Sequence, residues 1–408
     1  MTESNPIECK ECGTKVPDYL GDHLVEVHGM TASEYLDQHP GAPTMSKRLA
    51  DRAAKNSPRR EHPPAPTDLT VDICGVSFPV NLDVPASACL PLPEAYRFPK
   101  HGHLARDARH AAISMLFKRH GFIHGLPGTG KDAFIHAVSA LARIPCLIRS
   151  IKPGVNIQSW FYSRGFDKDG TEWERGELLD ALTKGYEVRD ASGKVVRRIP
   201  YILLVTDFDR ADRSQAEHLR LITDTTKGRV EGPRGITEDV LEGTMVWATG
   251  NSAGSGDTRG RCISSNVIDA SILDRFERVY EFHWMSWKDE EAICKEKFPL
   301  LVERCPWLFD QVGKCTTALR MAIMNQTLYA EFSHRGVCTI LGHAEDLVRV
   351  NGDKPVPQDV IRGAARAWLD RLGDPVTKEA ALKAMDSHVP AGMLDNGGGP
   401  DTANDFDF

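Results

Sequence analysis

The chain has 408 residues, of which 41% are hydrophobic and 26% charged, and its formal net charge is −7. These proportions are ordinary for a globular protein with two or three folding units. The negative charge excludes a global attraction to nucleic acid, so any such contact requires a local basic patch. Short apolar runs and an N-terminus without the features of a secretory signal predict no membrane span and a cytoplasmic location with reduced thiols.

The pattern of cysteines and histidines in residues 1–40 predicts a small zinc-binding module. Cys9 and Cys12 can hold one metal ion from a tight turn, and His23 and His28 can share one helical face and complete a tetrahedral site. The spacer of ten residues between Cys12 and His23 is shorter than that of usual zinc fingers. A module this small nevertheless needs a cross-link, such as a bound metal ion, to fold alone. The alternative is two incidental thiols and two surface histidines.

Two other segments predict little folded structure. Residues 41–70 are rich in proline and in basic residues, which predicts a flexible linker. The basic residues slightly favour DNA over protein as the partner of the zinc module, although a solvated linker explains them equally well. Residues 391–408 are Gly-rich and acidic and predict a disordered tail. Its last residues, Asp405 to Phe408, suit either a hook for a partner protein or a merely solubilising end.

The strongest motif is a phosphate-binding loop. Residues Phe122–His124 are predicted to end a short strand. The sequence GLPGTGK follows, and a helix is predicted to begin directly after it. Glycines allow backbone N–H groups to face a phosphate, the helix N-terminus attracts negative charge, and Lys131 reaches the β- and γ-phosphates. The position after the lysine is usually a Ser or Thr that binds Mg²⁺; here it is Asp132. The residues expected to bind ATP are Gly125, Leu126, Pro127, Gly128, Thr129, Gly130, Lys131, Asp132 and Ala133.

Two more strands are expected to end beside this loop. Tyr201–Val205 is continuously apolar, as in a buried parallel strand, and continues into Thr206 and Asp207. Thr244–Thr249 leads into Asn251, whose side chain suits holding a water molecule near a γ-phosphate.

Arg275 lies in a short helix-like segment further along the chain. An arginine there could act as a finger on the nucleotide of a neighbouring subunit. The alternative is a surface arginine paired with Asp274 or Glu277.

Together these segments resemble the MoxR-type AAA+ ATPases, and among them the CobS-like ATPase subunits of aerobic cobaltochelatases. The resemblance covers about residues 71–350 and rests on GLPGTGKD, ILLVTDFDRAD, ATGNSAGSGDTRG and IDASILDRFERV. Short β-branched runs alternate with helical stretches from Thr70 to Leu300, and this alternation itself predicts a parallel sheet with helices on both faces. The resemblance implies that the α/β fold comprises a lead-in at 71–100, an AAA+ P-loop αβα domain with a parallel sheet at 101–285, and a helical lid at 286–390.

The resemblance also implies how the protein assembles. It implies a hexameric ring with nucleotide between subunits, in which Arg275 acts in trans. Arg335, in FSHRGVCTILGHAEDL, takes the role of the sensor arginine in cis. An insert at residues 154–175 would face the pore of the ring. A partner protein with a von Willebrand A-type domain is implied as well.

The family pattern at the acidic strand can be aligned in two registers. One places Thr206 at the metal-binding Asp and Asp207 at the catalytic Glu. The other makes Asp207 the metal ligand and leaves Phe208 at the catalytic position. We prefer the first, because more residues match. Asp132 and Thr206 have then exchanged ligand types around Mg²⁺, and the shorter Asp207 carboxylate orients the attacking water.

These features predict a slow ATP-hydrolysing motor that remodels a partner protein or nucleoprotein complex. Because the metal and base positions are altered, the alternative is a nucleotide-gated DNA- or protein-binding module that has lost hydrolysis. A third option, metal insertion into a tetrapyrrole, is disfavoured by the zinc module.

Overall fold

The computed structural model describes residues 6–17, 20–28, 30, 35, 38–39, 42–44, 69–167, 170–224, 227–254, 256, 266–356 and 360–386. The chain divides into two compact units, residues 1–66 and 67–408. Most of the predicted basic linker and all of the predicted tail lie outside the described residues. Within the described ranges, no helix combines the length and apolar character needed to cross a membrane.

The N-terminal unit is a short hairpin followed by a helix. Strands β1 (Ile7–Glu8) and β2 (Lys15–Val16) pair antiparallel, and helix α1 (Gly21–His28) follows. The described core contains four fully buried side chains: Cys9, Leu20, Leu24 and Tyr35. A core of this size is too small to stabilise a domain alone, so the unit needs a further cross-link.

The second unit is built on a five-stranded parallel sheet. Its strands are β5 (Gly121–His124), β6 (Cys146–Ser150), β11 (Ile202–Thr206), β14 (Met245–Gly250) and β15 (Arg278–Glu281). They lie side by side in the order β15-β5-β14-β11-β6, and all neighbours are parallel. The central strands are apolar along their length because both faces of the sheet are covered.

Helices cover both faces of this sheet, which confirms the predicted α/β architecture. Helices α2 (Gly102–Leu116) and α3 (Lys131–Ala142) pack on the face that carries Leu204 and Trp247. Helices α4 (Glu177–Lys184), α5 (Arg213–Ile222) and α6 (Ala270–Leu273) pack on the opposite face. Since side chains alternate along a strand, each face has its own apolar core.

Among the described residues of this unit, four hairpins form small two-stranded sheets of their own. They are β3 (Thr70–Ile73) with β4 (Val76–Pro79), β7 (Tyr162–Asp167) with β8 (Gly170–Arg175), β9 (Tyr186–Arg189) with β10 (Val195–Ile199), and β12 (Arg229–Glu231) with β13 (Thr237–Asp239). The β7–β8 hairpin occupies most of the segment expected to be an insert, residues 154–175. The β9–β10 and β12–β13 hairpins were not predicted from the sequence.

The C-terminal part of this unit is helical. It comprises α7 (Trp287–Lys297), α8 (Pro299–Arg304), α9 (Trp307–Met324), α10 (His334–Asn351), α11 (Val360–Leu369) and α12 (Pro375–Asp386). These helices enclose a separate apolar core around Phe309, Phe332 and Trp368. We refer to α7–α12 as the lid.

Candidate functional site

The phosphate-binding loop connects β5 to α3. Gly125, Gly128 and Gly130 have φ values of 145°, 71° and 82°, which side chains rarely tolerate. A Cβ atom on Gly125 would lie 2.1 Å from the backbone oxygen of Phe282, so only glycine allows this approach. Gly130 is the N-cap of α3 and provides no side chain to cap it. The first N–H groups of α3 therefore suit an anion.

Lys131 and Asn251 meet inside this loop. The Lys131 side chain is buried, and its Nζ donates to the backbone oxygens of Gly125 and Leu126 at 2.7 and 3.1 Å. It also donates to Oδ1 of Asn251 at 3.3 Å. Asn251 directly follows β14, the strand adjacent to β5. The fold therefore brings together two predicted site residues that are far apart in sequence.

Asp209 positions the Asn251 segment, and the sequence analysis missed this role. Its fully buried Oδ2 accepts hydrogen bonds from the backbone N–H groups of Asn251 and Ser252, at 3.0 and 3.1 Å. Asp209 belongs to the Asp-Arg-Ala stretch after β11, so its presence in a family pattern was the available signal. Without this carboxylate the loop after β14 would lose its main anchor.

Asp132 is held by Thr249, another residue that the sequence analysis missed. The buried hydroxyl of Thr249 donates to Oδ1 of Asp132 at 2.6 Å. Thr206 ends β11, the neighbour of β14, and Val205 is in register with Ala248. By alternation along the strands, Thr206 and Thr249 point to the α3 face of the sheet. Asp132 and Thr206 therefore lie on the same side of the sheet.

Asp207 follows β11 in a left-handed conformation, with φ of 55°. Its carboxylate accepts from Oγ of Ser150 at 3.3 Å and pairs with Arg210 at 3.5 Å. The next residue, Phe208, is fully buried and packs against the rings of Phe122 and Phe276. Phe208 cannot orient water from this position, whereas the half-exposed Asp207 carboxylate can.

The lid contacts the phosphate-binding loop through the start of α10. A Cβ atom on Gly128 would lie 2.2 Å from Cβ of Ser333, the N-cap residue of α10. Arg335 is the second residue of this helix and is exposed. The predicted sensor arginine therefore lies in the helical turn that touches the loop.

A pocket of about 710 Å³ opens between the ends of the strands and the lid. It has the size of a small-molecule site. His124, Leu126 and Asn251 line it from the sheet side, Arg320 lines it from the lid, and Trp284 lines it from the segment before the lid. Burial lowers the pKa of His124, and the charge of Lys131 lowers it further, so the ring is neutral near pH 7.

The structure places Arg275 just after α6. Its guanidinium pairs with Asp224 at 3.3 Å, and the Arg275 side chain is 31% exposed. The expected alternative partners were wrong, because Arg275 pairs with Asp224 and Glu277 instead accepts from Arg119. Arg275 is not among the described residues that line the pocket.

The N-terminal unit gathers the four predicted zinc ligands. The ligand atoms of Cys9, Cys12, His23 and His28 all lie within 4.8 Å of one another. Three of the separations are 3.2, 3.3 and 3.6 Å. A tetrahedral zinc ion with bonds of about 2.0–2.3 Å requires ligand separations of roughly 3.3–3.8 Å. The residues present therefore fit zinc.

The protonation of Cys12 also suits a metal ligand. Hydrogen bonds with Thr14 lower the pKa of its thiol to about 6, and contacts with His28 and His23 add to this effect. The thiolate is the form of cysteine that binds a metal.

These features define the class of the protein. The phosphate-binding loop follows the first strand of a parallel sheet whose strands, numbered along the chain, lie in the order 5-1-4-3-2. A helical lid contacts the loop. This combination is the AAA+ P-loop αβα fold with a C-terminal helical lid, accompanied by an N-terminal Cys/His cluster that fits a small zinc site.

No protein-family model matches the chain, and no curated protein matches it. Among solved structures, a mutant of Thermotoga maritima RuvB is 12% identical, with a TM-score of 0.44 over 73% of this chain and 85% of that chain. The Thermotoga maritima RuvB Holliday junction branch migration motor is 11% identical, with a TM-score of 0.42 over 71% and 76%. Brucella abortus NtrX in complex with ADP is 12% identical, with a TM-score of 0.41 over 72% and 66%. The fold class rests on the strand order and the P-loop rather than on these low values.

Proposed function

We propose that this protein is an ATP-hydrolysing AAA+ motor of the MoxR type, similar to CobS-like subunits, that remodels a partner protein or nucleoprotein complex. The observation that supports this most directly is the convergence of three elements on one P-loop. Lys131 lies inside the loop, Asn251 is bonded to Lys131, and the α10 turn with Arg335 packs on Gly128. A site that only needed to bind a phosphate would require neither Asn251 nor the α10 turn.

Each residue has a distinct task in this proposal. The backbone of residues 125–133 and the ammonium of Lys131 hold the phosphates, and Arg335 reads them from the lid. Mg²⁺, when bound, neutralises the charge that develops on the phosphate oxygens. The carboxylate of Asp132 and the hydroxyl of Thr206 supply oxygen ligands of the kind that this ion prefers. Asp207 and Asn251 orient the attacking water.

The proposal includes a hexameric ring in which Arg275 acts on the nucleotide of the adjacent subunit. Arg275 is partly exposed, so its guanidinium can reach the surface of a neighbouring subunit. To reach a neighbouring phosphate it must release Asp224. We further propose that the β7–β8 hairpin faces the pore, where Trp173 is exposed and carries Arg164 over its ring at 4.9 Å.

The remaining assignments are also proposals. Residues 1–40 bind one zinc ion through Cys9, Cys12, His23 and His28, and with the linker at 41–70 they recruit DNA or a protein. The lead-in spans 71–100, the ATPase core 101–285, the lid 286–390 and the tail 391–408. A protein with a von Willebrand A-type domain is the proposed partner of the ring.

A mixing experiment tests the motor and its assembly together. Arg275→Ala should still bind ATP but lose turnover by about 10³-fold, as for other arginine fingers. Lys131→Ala should fail to bind ATP. Co-assembled rings of the two variants should regain part of the activity, because each provides what the other lacks. Arg278→Ala, which changes an exposed arginine nearby on β15, is the matched control and should behave as the wild type.

The alternative function is a nucleotide-gated binding module without hydrolysis. The observation that favours it is the presence of Asp132 and Thr206 where the common pattern has a hydroxyl and a carboxylate. If no assembly of the wild type turns over Mg-ATP while ATP still binds, this alternative replaces the motor. If mixed rings form but show no recovery, the role of Arg275 in trans is wrong.

A further inference from the structure

A cluster of thiol and charged side chains lies in the lid and has no role in the proposed ATP chemistry. It joins three helices. Its members are Glu290, Cys294 and Lys297 from α7, Arg320 from α9, and His334 and Cys338 from α10. His334 directly follows Ser333, so the cluster adjoins the turn that contacts the P-loop.

Three of these residues form a line of hydrogen-bonded groups. Sγ of Cys338 lies 3.3 Å from Nε2 of His334, and Nδ1 of His334 lies 2.9 Å from Oε1 of Glu290. Arg320 fixes Glu290 from the other side with two bonds, of 2.5 and 3.0 Å. A nucleophile, a base and a group that orients the base are the arrangement that activates cysteine in enzymes.

The charges in the cluster favour a thiolate. The neighbouring Cys294 thiol is the main reason why the pKa of Cys338 falls to about 4, and the contacts with His334 and Lys297 lower it further. Burial alone would lower the pKa of His334, but its bonds to Cys338 and Glu290 raise it to about 9. Burial opposes ionisation of Glu290 as well, yet His334 and Arg320 keep its pKa below 4.5. Near pH 7 the pair is therefore thiolate and imidazolium.

Cys294 provides a second thiol on the adjacent helix. It is fully buried and lies between Glu290 and Lys297 on the face of α7 that contacts α10, where Glu290 meets His334 and Lys297 meets Cys338. The neighbouring Cys338 raises the pKa of the Cys294 thiol well above its usual value. Cys338 is only partly buried, so a small reagent meets it first. An accessible thiolate beside a protected thiol is the arrangement of an attacking and a resolving cysteine.

We propose that Cys338 is a peroxide-reactive modification site and that Cys294 resolves it to a disulfide between α7 and α10. The Cys338 thiolate attacks one oxygen of a hydroperoxide, the O–O bond breaks, and the leaving oxygen takes a proton from the His334 imidazolium. Cys338 becomes a sulfenic acid. The Cys294 sulfur then attacks the Cys338 sulfur, the S–O bond breaks, and hydroxide leaves with the Cys294 proton as water. Two thiols are oxidised and one peroxide is reduced.

Other cysteines of the same lid provide internal controls. Cys305 and Cys315 are buried, and burial raises the pKa of both thiols, to about 12 for Cys315. They should react slowly while the protein is folded. Cys12 is exposed with a low pKa, so labelling must be assigned peptide by peptide.

The test is alkylation of the zinc-loaded, full-length protein with limiting iodoacetamide, read by peptide mass spectrometry. Cys338 should be labelled at nearly the same rate from about pH 5 to pH 8, because its thiolate is fully formed throughout. Cys315 should stay unlabelled. Equimolar hydrogen peroxide should then remove two hydrogens from the intact mass and yield a Cys294–Cys338 cross-linked peptide, which dithiothreitol reverses.

Three variants separate the steps. Cys294→Ser should stop at a sulfenic acid on Cys338 that dimedone captures, and Cys338→Ser should abolish the cross-link. His334→Gln should slow alkylation of Cys338 at pH 6 by about tenfold or more, because less thiolate forms. If His334→Gln does not fold, the pH profile of the wild type decides the point. The proposal is overturned if Cys338 reacts no faster than Cys315, or if peroxide gives no Cys294–Cys338 cross-link in the wild type. None of these readouts depends on ATP turnover.

Discussion

Replacing Gly128 by alanine tests the contact between the P-loop and the lid. The new Cβ would lie 2.2 Å from Cβ and 2.8 Å from Oγ of Ser333, at a backbone φ of +71°. Two costs arise. A left-handed conformation costs a residue with a side chain about 1–2 kcal/mol, and forcing an extra methyl group into a packed site costs about 1–3 kcal/mol. We expect Gly128→Ala to lower the free energy of unfolding by about 2–5 kcal/mol.

Two further substitutions separate these costs. Ser333→Gly removes both clashing atoms and leaves Cα of residue 333 at 3.4 Å, an ordinary contact. Because Ser333 makes no side-chain capping bond, this change alone should cost only a few tenths of a kcal/mol. In the double variant the clash disappears and the backbone strain remains. Gly75→Ala is the matched control, because its φ is +73° and no atom lies within 4 Å of the added Cβ.

The assay is urea unfolding of the full-length protein, together with ATP affinity. Gly128→Ala should be less stable than Gly75→Ala by the cost of the clash, and adding Ser333→Gly should recover that loss, which is a strongly non-additive cycle. ATP affinity should follow the same order, since displacement of α10 moves Arg335. Equal losses for Gly128→Ala and Gly75→Ala, or no recovery in the double variant, would refute the contact between Ser333 and the loop.

Three other predictions concern metal sites and the lid. Purified protein should contain about one zinc ion per chain by metal analysis, and Cys12→Ser should release the zinc without loss of ATP binding. Wild-type preparations without zinc would contradict the zinc site. Asp132→Thr and Thr206→Asp should each abolish Mg-ATP hydrolysis, whereas the double variant, which rebuilds the common ligand pair, should recover much of it. A double variant as inactive as the worse single variant would disprove the exchange of Mg²⁺ ligands between positions 132 and 206. Arg320→Met should destabilise the lid by about 3–5 kcal/mol, because it leaves Glu290 buried without its main counter-ion. The Glu290 pKa is held below 4.5, so the stability from this pair exists above that pH and disappears as the pH falls further; a loss that persists undiminished in acid urea titrations would argue against it.

Local patterns in the sequence were sufficient to predict the phosphate-binding loop and the Cys/His set. Their ligands lie within a few residues of a turn or along one helix, so spacing alone determines which atoms can meet. The zinc ligands and the Lys131 loop follow this rule. The parallel sheet was predictable for a similar reason, because alternating apolar strands and helices allow few other folds.

Contacts between distant segments could not be predicted in this way. Thr249 and Asp132 are 117 positions apart and meet only because β14 lies beside β5. The pairing of Arg275 with Asp224 likewise depends on where the chain runs after α5. The β9–β10 and β12–β13 hairpins were missed because short polar strands leave a weak periodic signal between stronger elements.

Glu238 of β13 joins two of these hairpins. Its carboxylate accepts from the hydroxyl of Tyr162 at 2.9 Å and pairs with Arg175, and these two residues form the base of the β7–β8 hairpin. The ring of Tyr162 also packs so closely on Gly232 that no side chain fits there. The base of the β7–β8 hairpin is therefore held against the strand and the turn of the β12–β13 hairpin, and we expect the two hairpins to move together. The chain runs from β13 through β14 to Asn251, which contacts Lys131. A displacement of the β7–β8 hairpin is therefore expected to be transmitted along β14 to the phosphate-binding loop.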